Sequence, residues 1–196
     1  MEIYDMQRHM LKGKFEEVIY ARIEAGEDLL PALYDICRQN DVKTGVLLNA
    51  TGNLAKLRLT RISAEPTTYN FGVDFIEIPG PLQMTMTGVI GMGWLPDESM
   101  RTPPPGFLRH HADTGFGCGG FDGHEDPYFK VNITAMNASG MAVCGHLLQG
   151  SPTGSVNWDG GTRVPSHFTV AIAKVSGVVL RAVWDKTGYY HELVPA

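Results

Sequence analysis

Four of the seven histidines lie where a chemical site could form. His110, His111 and His124 fall in one glycine- and proline-rich segment, and His146 lies in an apolar stretch further along the chain. Imidazole nitrogens are frequent zinc ligands, and nearby carboxylates can complete a coordination sphere or orient the rings: Asp113, Asp122 and Glu125. We therefore predict a divalent metal site, zinc being the foremost candidate, with the ligands His146, His110, His111 and His124. An open fourth position would let the ion polarise a carbonyl group or lower the pKa of bound water.

The same histidines could also work without a metal. Histidine titrates near neutral pH and is the most common general acid or base, which makes His146, His110 and His111 the candidate catalytic residues. A carboxylate substrate would be held by neighbouring cationic and amide side chains: Arg109, Lys130 and Asn132. This pattern favours a lyase, hydrolase or isomerase that acts on a small carbonyl or carboxylate compound.

Simpler interpretations of these residues stay open. His110 and His111 can be exposed loop residues, and His146 can be a packed histidine that is bonded to a backbone carbonyl. Cys144 precedes His146 by two residues and is predicted to be a small buried hydrophobic residue rather than a nucleophile. The protein would then be a non-catalytic ligand-binding or regulatory module.

The elements that must position these residues are mostly strands. Residues 130–150 predict a hairpin, because Val131, Ile133 and Ala135 alternate with polar residues and Asn137–Gly140 supplies turn residues. Leucines at helical spacing predict one helix over 27–40, with Pro31 tolerated in its first turn. Further strands are expected at 15–23, 45–50, 54–62, 69–78, 82–90, 166–175 and 178–184. The sequence thus predicts a single α+β domain over residues 1–196, with a mostly antiparallel sheet.

One segment, 91–127, departs from this rhythm. It has little periodicity and carries five prolines and several glycines, and it is longer than ordinary connections between strands. Within it, Gly115–Gly123 lacks the Gly-Lys-Ser/Thr ending of a phosphate-binding loop, so no nucleotide cofactor is expected. We predict a long loop insertion that folds over the hairpin.

Several phrases in the chain resemble one known family. NASGMAVCGHLLQG at 137–150 resembles the Gly-Gly-His-Leu hairpin of the PPC ("plants and prokaryotes conserved") domain, and 26–30, 44–54, 75–78, 87–91 and 178–193 resemble its other elements in the same order. The chain resembles the bacterial type of the family, which has no AT-hook. The resemblance implies an α+β fold and a homotrimer, and the family is associated with DNA by name. Many bacterial members of the family carry a His-x-His pair on the arm opposite the Gly-Gly-His, and the resemblance implies that three such imidazoles would suit a metal near a subunit interface. Here Lys130-Val131-Asn132 replaces that pair, so His146 alone carries over.

The charge and hydropathy of the chain restrict the kinds of partner that it can bind. A net charge of −5, from 16 basic and 21 acidic residues, argues against duplex DNA, whose affinity depends on clustered Lys and Arg. No apolar run is long enough to cross a membrane and the first residues do not resemble a signal peptide, so we expect a cytoplasmic protein. Of the three cysteines, Cys37 is predicted in the core and Cys118 on the long loop. The expected partners are a small-molecule ligand and identical subunits.

Overall fold

The structure, a computed structural model, describes residues 9–64, 71–92, 127–155, 168–185 and 188–196. Its elements, in chain order, are β1 (Lys14–Ile23), α1 (Leu29–Gln39), β2 (Gly45–Ala64), β3 (Phe71–Gly91), β4 (Tyr128–Met136), β5 (Ala142–Leu147), β6 (Phe168–Ser176), β7 (Val178–Asp185) and β8 (Gly188–Pro195). The predicted α+β class with one main helix and a mostly antiparallel sheet is confirmed.

The helix begins where its sequence contains a capping residue. Asp28 accepts a hydrogen bond from the backbone N–H of Leu30 at 3.4 Å, which satisfies one of the donors left free at a helix start. Leu29, Leu33 and Cys37 are 0% exposed and face the core, as their spacing predicted. Burial raises the pKa of the Cys37 thiol to about 12, so this cysteine is a packing residue.

The strands β2 and β3 are longer than predicted. Two strands were expected over 45–62 and two over 69–90, but each pair is one continuous strand of 20 or 21 residues. Their antiparallel register shifts between Leu47 and Thr51 and again between Leu54 and Lys56. Such bulges let hydrogen bonding resume after an irregularity, which explains why glycine and proline inside the segments did not end the strands.

The main sheet has the order β1-β6-β2-β3-β4-β5, and β5 also pairs with β2. The second pairing joins Leu59 to Leu147 and Thr60 to His146, so β2, β3, β4 and β5 form a closed ring of antiparallel strands. Leucine, isoleucine and methionine side chains of these strands fill the interior, and α1 packs against it. The strands β7 and β8 form a separate hairpin over the region 178–193 that resembles an element of the PPC family.

The hairpin of β4 and β5 is also confirmed. The N–H of Asn137 donates to the carbonyl of Met141 at 3.1 Å, and Gly140 adopts a φ of 78° that few other residues tolerate. Within the described ranges, no helix has the length and apolar character that a membrane span requires.

Candidate ligand-binding face

The candidate site lies on the outward face of β3, β4 and β5. Along β4, Val131, Ile133 and Ala135 are at most 3% exposed, whereas Asn132, Thr134 and Met136 are exposed, which confirms the predicted alternation. A strand that is buried on one side presents every second side chain to the other. The polar residues of the hairpin therefore share one solvent-facing surface.

His146 lies in the middle of this face. Its Cα is paired with that of Asn132 on β4, and Asn132 is paired with Thr87 on β3. Directly paired residues project to the same side of a sheet, about 5 Å apart. We call these three residues the His146 row.

The surroundings of His146 favour the neutral imidazole. Burial lowers its pKa below the usual value, and the positive charge of Lys130 lowers it further, whereas a hydrogen bond with the Val131 backbone opposes the shift. The backbone bond and the half-buried ring agree with the packed-histidine interpretation. The adjacent lysine and the exposed Asn132 nevertheless give the row a cationic and hydrogen-bonding character.

A second row of exposed residues runs beside the first. Thr169, Thr51, Thr85, Thr134 and Cys144 are successive cross-strand partners over five strands. All five are exposed, and the hydroxyl of Thr85 donates to Oδ1 of Asn49 at 3.3 Å. The prediction that Cys144 is buried is therefore wrong. Since Cys144 lies two residues from His146 on a strand, both side chains lie on the outward face.

The structure tests only part of the predicted site. His110, His111, His124 and Arg109 lie outside the described residues, as does Cys118 and nearly all of segment 91–127. Lys130, Asn132 and His146 do come together on one face. In the described part of the chain there is no group of three His, Cys, Asp or Glu side chains that could hold a metal ion.

Many basic side chains lie next to carboxylates. Lys56 Nζ and Arg58 Nε lie 3.4 and 3.7 Å from the same oxygen of Glu77, and Lys174 Nζ lies 3.7 Å from Glu17. Arg22 and Glu24 also form an ion pair. Phosphate binding relies on cations whose charge is available, so these pairs weaken any electrostatic attraction to nucleic acid.

Sequence reasoning missed a set of buried polar residues in the segment 148–155. Ser151 and Thr153 are 0% and 2% exposed. The Ser151 hydroxyl accepts from the N–H of Arg58 at 2.9 Å, and the N–H of Ser151 donates to Asp28 at 3.3 Å. The turn-like Ser-Pro-Thr-Gly at 151–154 was the available signal, but it did not indicate what the residues would bind.

Sequence reasoning also missed a cleft beside the middle of β3. It has a volume of about 320 Å³ and is lined by Asn53, Pro81, Leu82, Gln83, Met136, Asn137 and Ala138. Gln83 is paired with Asn53 on one side and with Met136 on the other, so strand pairing brings these distant residues together. We call this feature the amide cleft.

Comparisons with known proteins agree with the fold. The sequence profile of the Plants and Prokaryotes Conserved (PCC) domain matches residues 10–111. This match covers more than half of the chain, which therefore belongs to the Plants and Prokaryotes Conserved domain family and confirms the resemblance seen in the sequence. No curated protein matches the chain significantly.

Several solved structures share the architecture at low identity. A metal-containing protein of Archaeoglobus fulgidus is 11% identical, with a TM-score of 0.60 over 95% of this chain and 99% of that one. A plant- and prokaryote-conserved protein of Pyrococcus horikoshii is 14% identical, with a TM-score of 0.59 and the same coverage. A Bacteroides thetaiotaomicron protein, provisionally described as DNA-binding, is 13% identical, with a TM-score of 0.55 over 93% and 96%. At such identities the likeness defines the fold alone.

Proposed function

We propose that this protein is a non-catalytic, ligand-binding member of its family, and that the His146 row with Lys130 binds a small carboxylate. One observation carries the proposal: Lys130 and the exposed Asn132 lie on the same side of β4, and Asn132 is the cross-strand partner of His146. A lysine ammonium and an amide N–H are donors that a carboxylate accepts, and bonds to charged groups are stronger than neutral ones. A cytoplasmic homotrimer is part of the proposal and would have three times the 21.4 kDa chain mass in sedimentation.

The acid–base state of His146 gives this proposal a distinctive pH dependence. The neutral ring adds no charge, but protonation places a second cation beside Lys130. Carboxylate affinity should therefore increase as the pH falls through the lowered pKa of His146. A ligand that binds by shape alone would not show this dependence.

The test is a titration with succinate, followed by NMR on the isotope-labelled protein. Shifts at residues 130–132 and 146 are expected, with Lys130→Ala weakening binding about tenfold, which corresponds to about 1.4 kcal/mol. Lys56→Ala is the matched control, because Lys56 is another half-buried lysine but lies on β2, outside the His146 row. Equal affinity in wild type and Lys130→Ala, or equal losses in both variants, would contradict the proposal.

A metal-dependent enzyme is the second candidate, favoured by the metal-containing relative from Archaeoglobus fulgidus. His146 would be one ligand, and the others would be His110, His111 or His124, with zinc as the expected ion. Elemental analysis of the untagged protein and of His146→Ala tests it. About one equivalent of metal per chain, lost in the variant, would favour this candidate over the carboxylate site.

DNA association is the third possibility, since a relative from Bacteroides thetaiotaomicron carries that description. Lys56, Arg58 and Lys174 form ion pairs with carboxylates, which leaves less of their positive charge available to DNA phosphates. A mobility-shift assay at physiological salt decides the question. Tight duplex binding that weakens steeply with salt would replace the ligand-binding proposal with a nucleic-acid role.

A further inference from the structure

The amide cleft offers a second binding site, apart from the His146 row. Asn53, Gln83 and Met136 are consecutive cross-strand partners on β2, β3 and β4, and Leu82, which is 1% exposed, belongs to the lining from the core side. Gln83 precedes Thr87 by four residues on β3, which places the cleft about 13 Å from the His146 row. Its volume of about 320 Å³ is at the lower end of small-molecule pockets.

The turn between β4 and β5 holds one amide in place. Oδ1 of Asn137 accepts hydrogen bonds from the Ser139 N–H at 3.1 Å, the Ser139 hydroxyl at 2.7 Å and the Met141 N–H at 3.0 Å. These bonds use only the oxygen. The two N–H donors on the amide nitrogen of Asn137 are therefore what this side chain can offer to a ligand.

Gln83 supplies the complementary chemistry. Its exposed amide has both a donor and an acceptor, and Asn53 on the neighbouring strand has the same pair. A side-chain amide makes a bidentate pair with the edge of an adenine base, where a ring nitrogen accepts and an exocyclic amine donates. The exposed apolar surfaces of Pro81 and of Met136, which is 44% exposed, can cover the face of a flat ring.

The charge of the ligand follows from the lining. None of the lining residues is ionisable, so a phosphate or carboxylate placed there would lose its hydration without gaining a cation. A neutral heterocycle carries no such penalty. We infer that the amide cleft binds an uncharged purine base or nucleoside through Gln83, Asn53 and Asn137.

The experiment uses adenosine as the probe and NMR chemical shifts of the full chain as the readout. Adenosine should shift residues 53, 83 and 136–138. Gln83→Glu keeps the shape of the side chain but replaces its N–H donors with a charged acceptor, so the dissociation constant should rise at least about tenfold. Gln39→Glu is the matched control, because it makes the same substitution at an exposed glutamine that lies on α1 and does not line the cleft. It should leave adenosine binding unchanged.

Two further comparisons separate this site from the carboxylate site. Adenosine affinity should be the same at about 50 and 500 mM NaCl, since no charge pair contributes to it. AMP should bind no more tightly than adenosine. Shifts centred on Lys130 and His146, a large preference for AMP, equal binding by Gln83→Glu, or no shift at about 10 mM adenosine would each overturn the inference.

Discussion

Two polar regions of this protein lie close in sequence and use their hydrogen-bonding groups in opposite ways. In the segment 148–155, Ser151 and Thr153 are almost completely buried, and their hydroxyls bond to the backbone of other elements. In the His146 row and the threonine row beside it, the hydroxyls and amides mostly face solvent. Burial and internal bonding identify the first region as structural. Exposure identifies the second as a surface that is available to a ligand.

The structural region works as a junction. Thr153 accepts from the N–H of Gly26 at 3.0 Å, and the N–H of Ala55 donates to the carbonyl of Pro152 at 2.9 Å. Asp28 joins the junction to the helix, since it accepts from both Ser151 and Leu30. The segment thus fastens the end of β5 to β2 and to the start of α1. A buried polar network of this kind stabilises only if all its members are satisfied.

The largest expected effect comes from breaking this junction at Asp28. Asp28→Ala removes the helix cap and leaves the N–H groups of Gly150 and Ser151 without their acceptor, so the free energy of unfolding should fall by about 3 kcal/mol. Chemical denaturation of the purified protein measures the change.

Two variants control the Asp28 experiment. Asp28→Asn keeps one acceptor oxygen for the N–H groups of Leu30 and Ser151 but loses the acceptor of the Gly150 N–H, so it should recover only part of the loss. Asp35→Ala removes an exposed aspartate from the same helix and should change the free energy of unfolding by less than about 0.5 kcal/mol. If Asp35→Ala were as damaging as Asp28→Ala, loss of acidic charge rather than loss of the cap would be responsible.

Substitution of His146 should have a smaller effect on the free energy of unfolding, and only at acidic pH. Because its pKa is lowered in the folded state, the unfolded chain binds more protons at this residue below about pH 6.5, and the wild type loses stability as the pH falls towards the folded pKa. His146→Gln removes this contribution. The difference in unfolding free energy between variant and wild type should therefore shift in favour of the variant between about pH 7 and 5. A difference that does not change with pH would show that the two states protonate His146 equally.

The smallest effect on stability is expected at Asn132. It is exposed, so Asn132→Ala should change the free energy of unfolding by less than about 0.5 kcal/mol while weakening succinate binding. Thermal melting and the NMR titration, carried out on the same sample, measure both quantities. A large loss of stability would place Asn132 with Ser151 among the structural residues and remove the distinction between the two regions.

Periodicity predicted the elements of this fold better than their connections. The face of α1 that contains Leu29 and Leu33, and the alternation of Val131 with Asn132, follow directly from helical and strand geometry. The fusion of four expected strands into β2 and β3 could not be predicted in this way. In a single sequence, a bulge near Leu54 looks the same as the end of a strand. The residues of the junction were missed for a related reason, since their partners lie 93 to 129 positions away.

In the candidate site, too, local contacts could be predicted from the sequence and long-range ones could not. Lys130, Asn132 and His146 belong to one hairpin, and local pairing was enough to predict their proximity. The amide cleft joins Asn53 to Gln83 and Met136 across three strands, and only the register of those strands reveals it. The exposure of Cys144 was predicted wrongly because cysteine is so often buried. Its position two residues from His146 on β5, which places both side chains on the same side of the strand, was the better guide.

The closure of β2, β3, β4 and β5 into a ring also bears on the colloidal behaviour of the protein. A strand without a neighbour is a template on which other chains can add and aggregate, and a closed ring reduces the number of such edges. In the described sheet β1 is the terminal strand, and it carries exposed Phe15 and Tyr20. It also carries exposed Lys14, Glu16, Glu17 and Arg22, charges that oppose the stacking of identical strands. Among the described residues, the resistance of the main sheet to fibril growth thus depends mainly on this heavily charged edge strand.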